Sequence, residues 1–224
     1  MLKRLPATWQ SPVSPMKSFE IPTTMPSQPV VYHWHSHTER IFGTVIHRLL
    51  YQISQDGLEH WIKKINQSQT LLAGLLAHYG LLDSEIPNVL ITLKRCLEKV
   101  IACPRARWIL SQQHWMAESE YAITVILHGK CENFIIDRTF IDPATCSRWI
   151  IDYKTTNYQG NQPDLFLKEA KQRHQEQLNG YARAFLHDKP KKICCGLYFP
   201  LTALWCAWEF NASPLKTIES EYYP

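Results

Sequence analysis

The sequence predicts an α/β protein: a central mixed sheet flanked by helices, with an N-terminal helical part. Three observations predict it. Apolar residues recur every third or fourth position up to about residue 101, and β-branched and aromatic runs replace that period after about residue 114. One long helical pattern then separates three such runs from two more.

The first thirty residues stand apart, because six of the 14 prolines fall there among Ser and Thr. Residues 1–33 therefore read as a proline-rich linker or arm, and residues 34–224 as a single domain. From His37 the pattern turns helical, with Ile41, Val45, Leu49 and Ile53 four apart and a cap at Ser36 or Thr38. Two short helices follow over 56–64 and 68–79. Leu90, Leu93, Leu97 and Ile101 mark another, entered near Pro87 and stopped by Pro104. Strands are expected over 121–128, 133–141 and 148–153, broken at Gly129 and Asp142-Pro143. A helix over 163–186 and strands over 192–198 and 204–210 complete the order.

Composition narrows the class. Hydrophobic residues at 45% and charged residues at 20% describe a globular chain of 224 residues with no need of covalent staples. Seven cysteines at irregular spacing argue against a disulfide framework, and no apolar run is long enough to span a membrane. A cytoplasmic location is expected. The net charge of +4 permits a polyanionic partner, and five cations against Glu98 between Lys94 and Arg107 concentrate it. Arg105 and Arg107 are the candidates there for DNA backbone contact. A solvated helix face accounts for the same stretch equally well.

The residues able to carry chemistry are few. Asp152 and Lys154 are two apart on an expected strand and project from one face. If 142–147 is a turn, the hairpin brings Asp137 to the same end of the sheet. Two converging carboxylates would make an oxygen-lined site for Mg2+ or Mn2+, with an ammonium beside it. A cross-strand salt bridge satisfies the same spacing. His47 shares a helical face with Gly43 and Leu50, as a ligand or as a packed core imidazole. Gln177 and Tyr181 are four apart on the long helix, a polar pair at a core edge or at a site.

Together these pieces form an ordered set: GTVIHRLL from Gly43, IIDR from Ile135, IDYKT from Ile151 and QLNGY from Gln177. The set resembles the RecB-type nuclease domain of the PD-(D/E)XK superfamily, whose core is restriction-endonuclease-like. It is most similar to the C-terminal nuclease module of AddA-like (UvrD/Rep-type) helicase–nucleases. The resemblance spans about residues 34–199, and it implies that the domain at 34–224 has a helical part at about 37–113 and a nuclease core at about 114–210. It implies that His47, Asp137, Asp152 and the Tyr153 carbonyl hold Mg2+, with Mn2+ able to substitute, and that Lys154 is catalytic. It implies Glu118 as the family's glutamate, from AESEY, with Glu120 as the alternative. Gln177 and Tyr181 would border the site and touch DNA, and Arg138 would anchor Asp137 or a phosphate.

Two positions depart from the family pattern. Phe134 stands where glycine is usual before the DR pair, and His174 replaces a tyrosine ahead of Gln177. The closely spaced cysteines of iron–sulfur relatives have no counterpart here, so no cluster is expected. There is also no GxxxxGK[ST], so a helicase motor would lie elsewhere on the chain or on a partner. The function implied is a divalent-metal-dependent DNA nuclease acting on single-stranded ends in end processing and recombinational repair. The alternative is a catalytically silent nuclease fold that binds DNA or braces a helicase.

Overall fold

The protein was analysed as a computed structural model, which describes residues 36–127, 130–188 and 191–211. The proline-rich segment expected over 1–33 lies outside the described residues.

Five helices come first: α1 (His37–Asp56), α2 (Leu58–Lys64), α3 (Gln69–His78), α4 (Ile86–Ala102) and α5 (Pro104–Ile109). Ser36 starts α1 with a reciprocal box, in which its hydroxyl accepts the Glu39 N–H and the Glu39 carboxylate accepts the Ser36 N–H. Gly57, at φ 87°, turns the chain from α1 into α2, a backbone that side-chain-bearing residues rarely adopt. Pro104 does more than end α4. It occupies the first turn of α5, where a missing N–H costs nothing.

The sheet follows as β1 (Trp115–Leu127), β2 (Lys130–Asp142) and β3 (Ser147–Tyr153). After helix α6 (Pro163–Arg183) come β4 (Lys192–Phe199) and β5 (Leu204–Glu209). Spatial order equals chain order, with every pairing antiparallel except β3 with β4. That parallel pair requires a crossover, and α6 supplies it.

Two apolar clusters cover the two faces. One joins Val45, Leu49 and Ile53 of α1 and Leu93 and Leu97 of α4 to Phe140, Ile151, Tyr153 and Tyr198 of the sheet. The other joins Ala170, Leu178 and Tyr181 of α6 to Ile150, Cys195, Leu197 and Phe199. Alternation along β3 sends Ile151 and Tyr153 to the helical part and Ile150 and Asp152 to the α6 side.

One relation positions everything that follows. β1 and β2 pair along their whole length, but β2 and β3 pair only from Arg138–Ile151 to Asp142–Ser147. Beyond Arg138 the β1–β2 ribbon leaves β3, so the sheet splits. The next two residues at the mouth of the split are Asp137 and Asp152.

Candidate active site

The turn between Asp142 and Ser147 makes β2 and β3 a hairpin, and its register sets Asp137 opposite Asp152. With no strand partner there, Asp137 uses its side chain. Its Oδ2 accepts the Tyr153 N–H at 2.6 Å, and its Oδ1 lies 3.1 Å from His47 Nδ1. A proton on Nδ1 donates to the carboxylate and leaves the Nε2 lone pair free.

His47 reaches this point because α1 runs close to the end of β3. A Cβ on Gly43, one turn before His47, would sit 3.1 Å from Thr155 Oγ1. The His47 ring also packs edge-on against Tyr153, centroids 5.8 Å apart.

The third member of the group is Glu120. Ser119 pairs with Arg138 and Tyr121 with Ile136, which leaves Glu120 across from Asp137. Glu120 has φ 53°, so its side chain is aimed from a left-handed backbone within a strand. Ligand atoms of His47, Glu120 and Asp137 all lie within 4.8 Å of one another. Glu118 pairs with Thr139 instead, and is absent from the group; its charge acts on Arg138. Of the two glutamates of AESEY, Glu120, the stated alternative to Glu118, is the one that lies in the group.

On the α6 side, Lys154 Nζ lies 2.9 Å from Asp152 Oδ2, so both face one way as their spacing requires. Asp152 is 8% exposed. Gln177 donates to the Tyr181 hydroxyl at 2.6 Å along α6, and the Tyr181 ring is buried against Phe134. The phenylalanine at the family's glycine position thus fills a wall beneath α6. His174, one turn before Gln177, is driven down to about 4 by burial and the Lys154 charge, so it is neutral at physiological pH.

The electrostatics describe a site with surplus negative charge. Burial and the neighbouring Asp137 raise Asp152 to about 6, with Lys154 opposing. Burial and Asp137 also raise Glu120. Burial alone would lower His47, but the hydrogen bond and charge of Asp137, with Asp152 and Glu120 behind it, leave its pKa above the ordinary imidazole value. One imidazole and clustered carboxylates with a shortage of cations fit a divalent metal ion. The donor set suits Mn2+ as well as Mg2+.

The arginines do not join this group. Arg138, expected to anchor Asp137 or contact DNA, is 2% exposed and turns away from the site. Its guanidinium donates to the carbonyls of Ile109 and Ser111 and to Ser119 Oγ, all away from the carboxylate group. Consecutive residues of a strand point oppositely, which is why Asp137 and Arg138 cannot share one face. Arg105 lies over the rings of Trp108 and Trp205, and Arg107 pairs with Glu59 at 3.3 Å. Lys192, at the start of β4, pairs with Glu209 of β5.

Four further residues, Arg48, Tyr51, Tyr79 and Ser119, line a cleft shared with His47 and Glu120. Tyr51 sits four after His47 and was legible by helical spacing; Tyr79, near the end of α3, offered no signal.

The site is thus a split mixed sheet with an imidazole–carboxylate group at the split, a lysine beside it and a crossover helix over it. The profile of the PD-(D/E)XK nuclease superfamily matches residues 32–213. The chain belongs to that superfamily, whose members typically hydrolyse phosphodiester bonds with divalent metals. No curated protein matches the sequence significantly. A solved structure described as "Crystal structure of SSO0001" is similar over 78% of this chain and 77% of that one, at 16% identity and a TM-score of 0.28. Among the described residues, no helix is long and apolar enough to cross a membrane.

Proposed function

We propose that the chain is a divalent-metal-dependent DNA nuclease domain, the nuclease module of an AddA-like helicase–nuclease that trims single-stranded ends for recombinational repair. The observation that carries this reading is the juxtaposition of His47, Glu120 and Asp137 with the Asp152–Lys154 pair at the split. The four ordered motifs support the RecB-like assignment. On that reading residues 1–33 are the linker from a cytoplasmic helicase motor.

His47, Glu120, Asp137 and Asp152 would hold the ion, with the Tyr153 carbonyl completing the set. A bound divalent cation supplies Lewis-acid polarisation of a phosphoryl oxygen. Lys154 then has two tasks: it holds the attacking water in line and offsets charge developing on the phosphoryl group. Asp152, paired with Lys154, orients the ammonium. The Gln177 amide, tied to Tyr181, borders the strand from the α6 side. Arg105 and Arg107 extend the backbone track, and their alanine variants would weaken binding to all sequences alike.

Incubation with linear and circular single-stranded DNA in Mg2+, Mn2+ or EDTA tests the reading. Metal-dependent cutting that Lys154→Met abolishes is expected. Intact substrate under every metal condition would leave a silent, DNA-binding fold.

A further inference from the structure

Beside the candidate metal group lies a cleft of about 700 Å3, and its lining extends along α1 away from β3. Gly43, His47 and Tyr51 form one row, each step a helical turn of about 6 Å. His47 and Glu120 belong both to the cleft and to the metal group, so the two are continuous. Arg48 is exposed and lies over the Tyr51 ring, 5.3 Å from its centroid. Tyr79 forms part of the same lining and is half-buried.

We propose that this cleft is a subsite for one unpaired nucleotide next to the scissile phosphate, with Tyr51 and Tyr79 stacking the base and Arg48 taking a phosphate. The inference rests on the nuclease reading above and adds the place where an unpaired nucleotide is held. The volume falls within the range of pockets that enclose a small organic ligand. Two phenol rings and a guanidinium make a lining with π-faces and positive charge, the combination that holds single strands without reading sequence. In a duplex each base has both faces covered and its edge paired, so only a splayed base can enter between side chains. Arg48 and Glu120 line the same cleft, which ties the subsite to the metal group.

The experiment uses the full chain in EDTA, where cleavage is blocked, and a short single-stranded oligonucleotide carrying 2-aminopurine. Binding is read by anisotropy and stacking by quenching of the 2-aminopurine signal. Tyr51→Leu and Tyr79→Leu should each weaken single-strand binding about 5- to 100-fold and reduce the quenching, as the loss of one stacked base predicts. Tyr51→Phe and Tyr79→Phe keep the ring and should stay within about twofold of wild type. Arg48→Gln should lower the salt dependence by about one phosphate contact. Duplex affinity should change little in the tyrosine variants.

Wild-type affinity and quenching in both leucine variants would overturn the subsite, and so would an equal loss on duplex. If a Leu variant fails to fold by circular dichroism, its Phe partner decides: a loss of binding on removing only the hydroxyl would refute stacking. Cleavage by wild type in Mn2+ separates the two readings. Cutting without tyrosine dependence sinks the subsite alone, whereas tyrosine-dependent single-strand binding without any cutting sinks the nuclease reading and leaves a nucleotide site.

Discussion

The Asp137 carboxylate accepts the backbone N–H of Tyr153 at 2.6 Å, at the position where the β2–β3 ladder stops. The side chain thus stands in for a strand partner on one oxygen and faces His47 with the other. Structural and electrostatic roles can be separated by substitution. Asp137→Asn retains an acceptor oxygen and should fold with near wild-type stability while losing metal-dependent cleavage. Asp137→Ala strands the Tyr153 N–H and should cost a further ~1–2 kcal/mol. Urea unfolding of the two variants checks the difference.

Glu120 and Glu118 are distinguishable by activity. Glu120→Gln should reduce cleavage by about two orders of magnitude and demand more metal, because it removes a ligand charge. Glu118→Gln should remain within about twofold. Glu120→Val should also lower stability by ~1–2 kcal/mol, since a β-branched residue tolerates the left-handed backbone poorly. Steady-state rates across a metal titration, with thermal unfolding alongside, measure both effects.

Asp152 should cost the metal-free protein stability at neutral pH. Its pKa is raised from 3.8 to about 6, so the folded state disfavours the carboxylate. The penalty is absent below the unfolded value, grows through pH 6 and is full above it. Asp152→Asn should therefore stabilise the EDTA-treated protein by about 2 kcal/mol near pH 8 and change little near pH 4, a figure reduced for the partner that Lys154 loses. The variant should also lose cleavage. Denaturant curves at the two pH values in EDTA suffice.

Protons and metal should compete at His47. Its folded pKa lies above 6.5, so the stabilisation from pairing with Asp137 is full below that value and lost as pH rises through the raised one. Metal binding needs the neutral ring and has the opposite dependence. The rise in melting temperature caused by Mn2+ should shrink as pH falls from about 8 to about 6, and His47→Asn should show a small rise throughout. Thermal scans with and without Mn2+ give the comparison.

Arg138 should matter for stability and not for DNA contact. Arg138→Lys cannot replace donors to two carbonyls and a hydroxyl, and should cost about 3 kcal/mol. The folded variant should keep the wild-type salt slope for DNA. A shallower slope would mean that Arg138 meets a phosphate.

Particular residues show which parts of the site were readable. His47 stood out because helical period links it to Gly43, and that row is the one α1 lays against the end of β3. The Asp142–Ser147 turn made the meeting of Asp137 and Asp152 a matter of hairpin arithmetic. Glu120 was obscured because a left-handed residue and a register irregularity between Trp115 and Glu118 leave no compositional trace. Arg138 was misread because motif adjacency says nothing of strand faces. Pro104 marked the end of a helix and concealed that it also begins one. The cleft tyrosines come from α1 and from the residue that follows α3, and only tertiary packing brings them together.

The reach of Arg138 out of β2 has a bearing on modularity. Its guanidinium ends on Ile109 and Ser111, residues that close the helical segment, while Ser119, which it also holds, contacts Ser54 of α1. Helices and sheet are thus fastened by a cation with two bonds that cross their seam, and the imidazole and carboxylate of the site sit on opposite banks of it. Neither half is a transplantable cassette. A grafted sheet without these helices would carry an unhoused arginine in its interior and a constellation missing its nitrogen donor, so any natural shuffling of this domain must move both halves together.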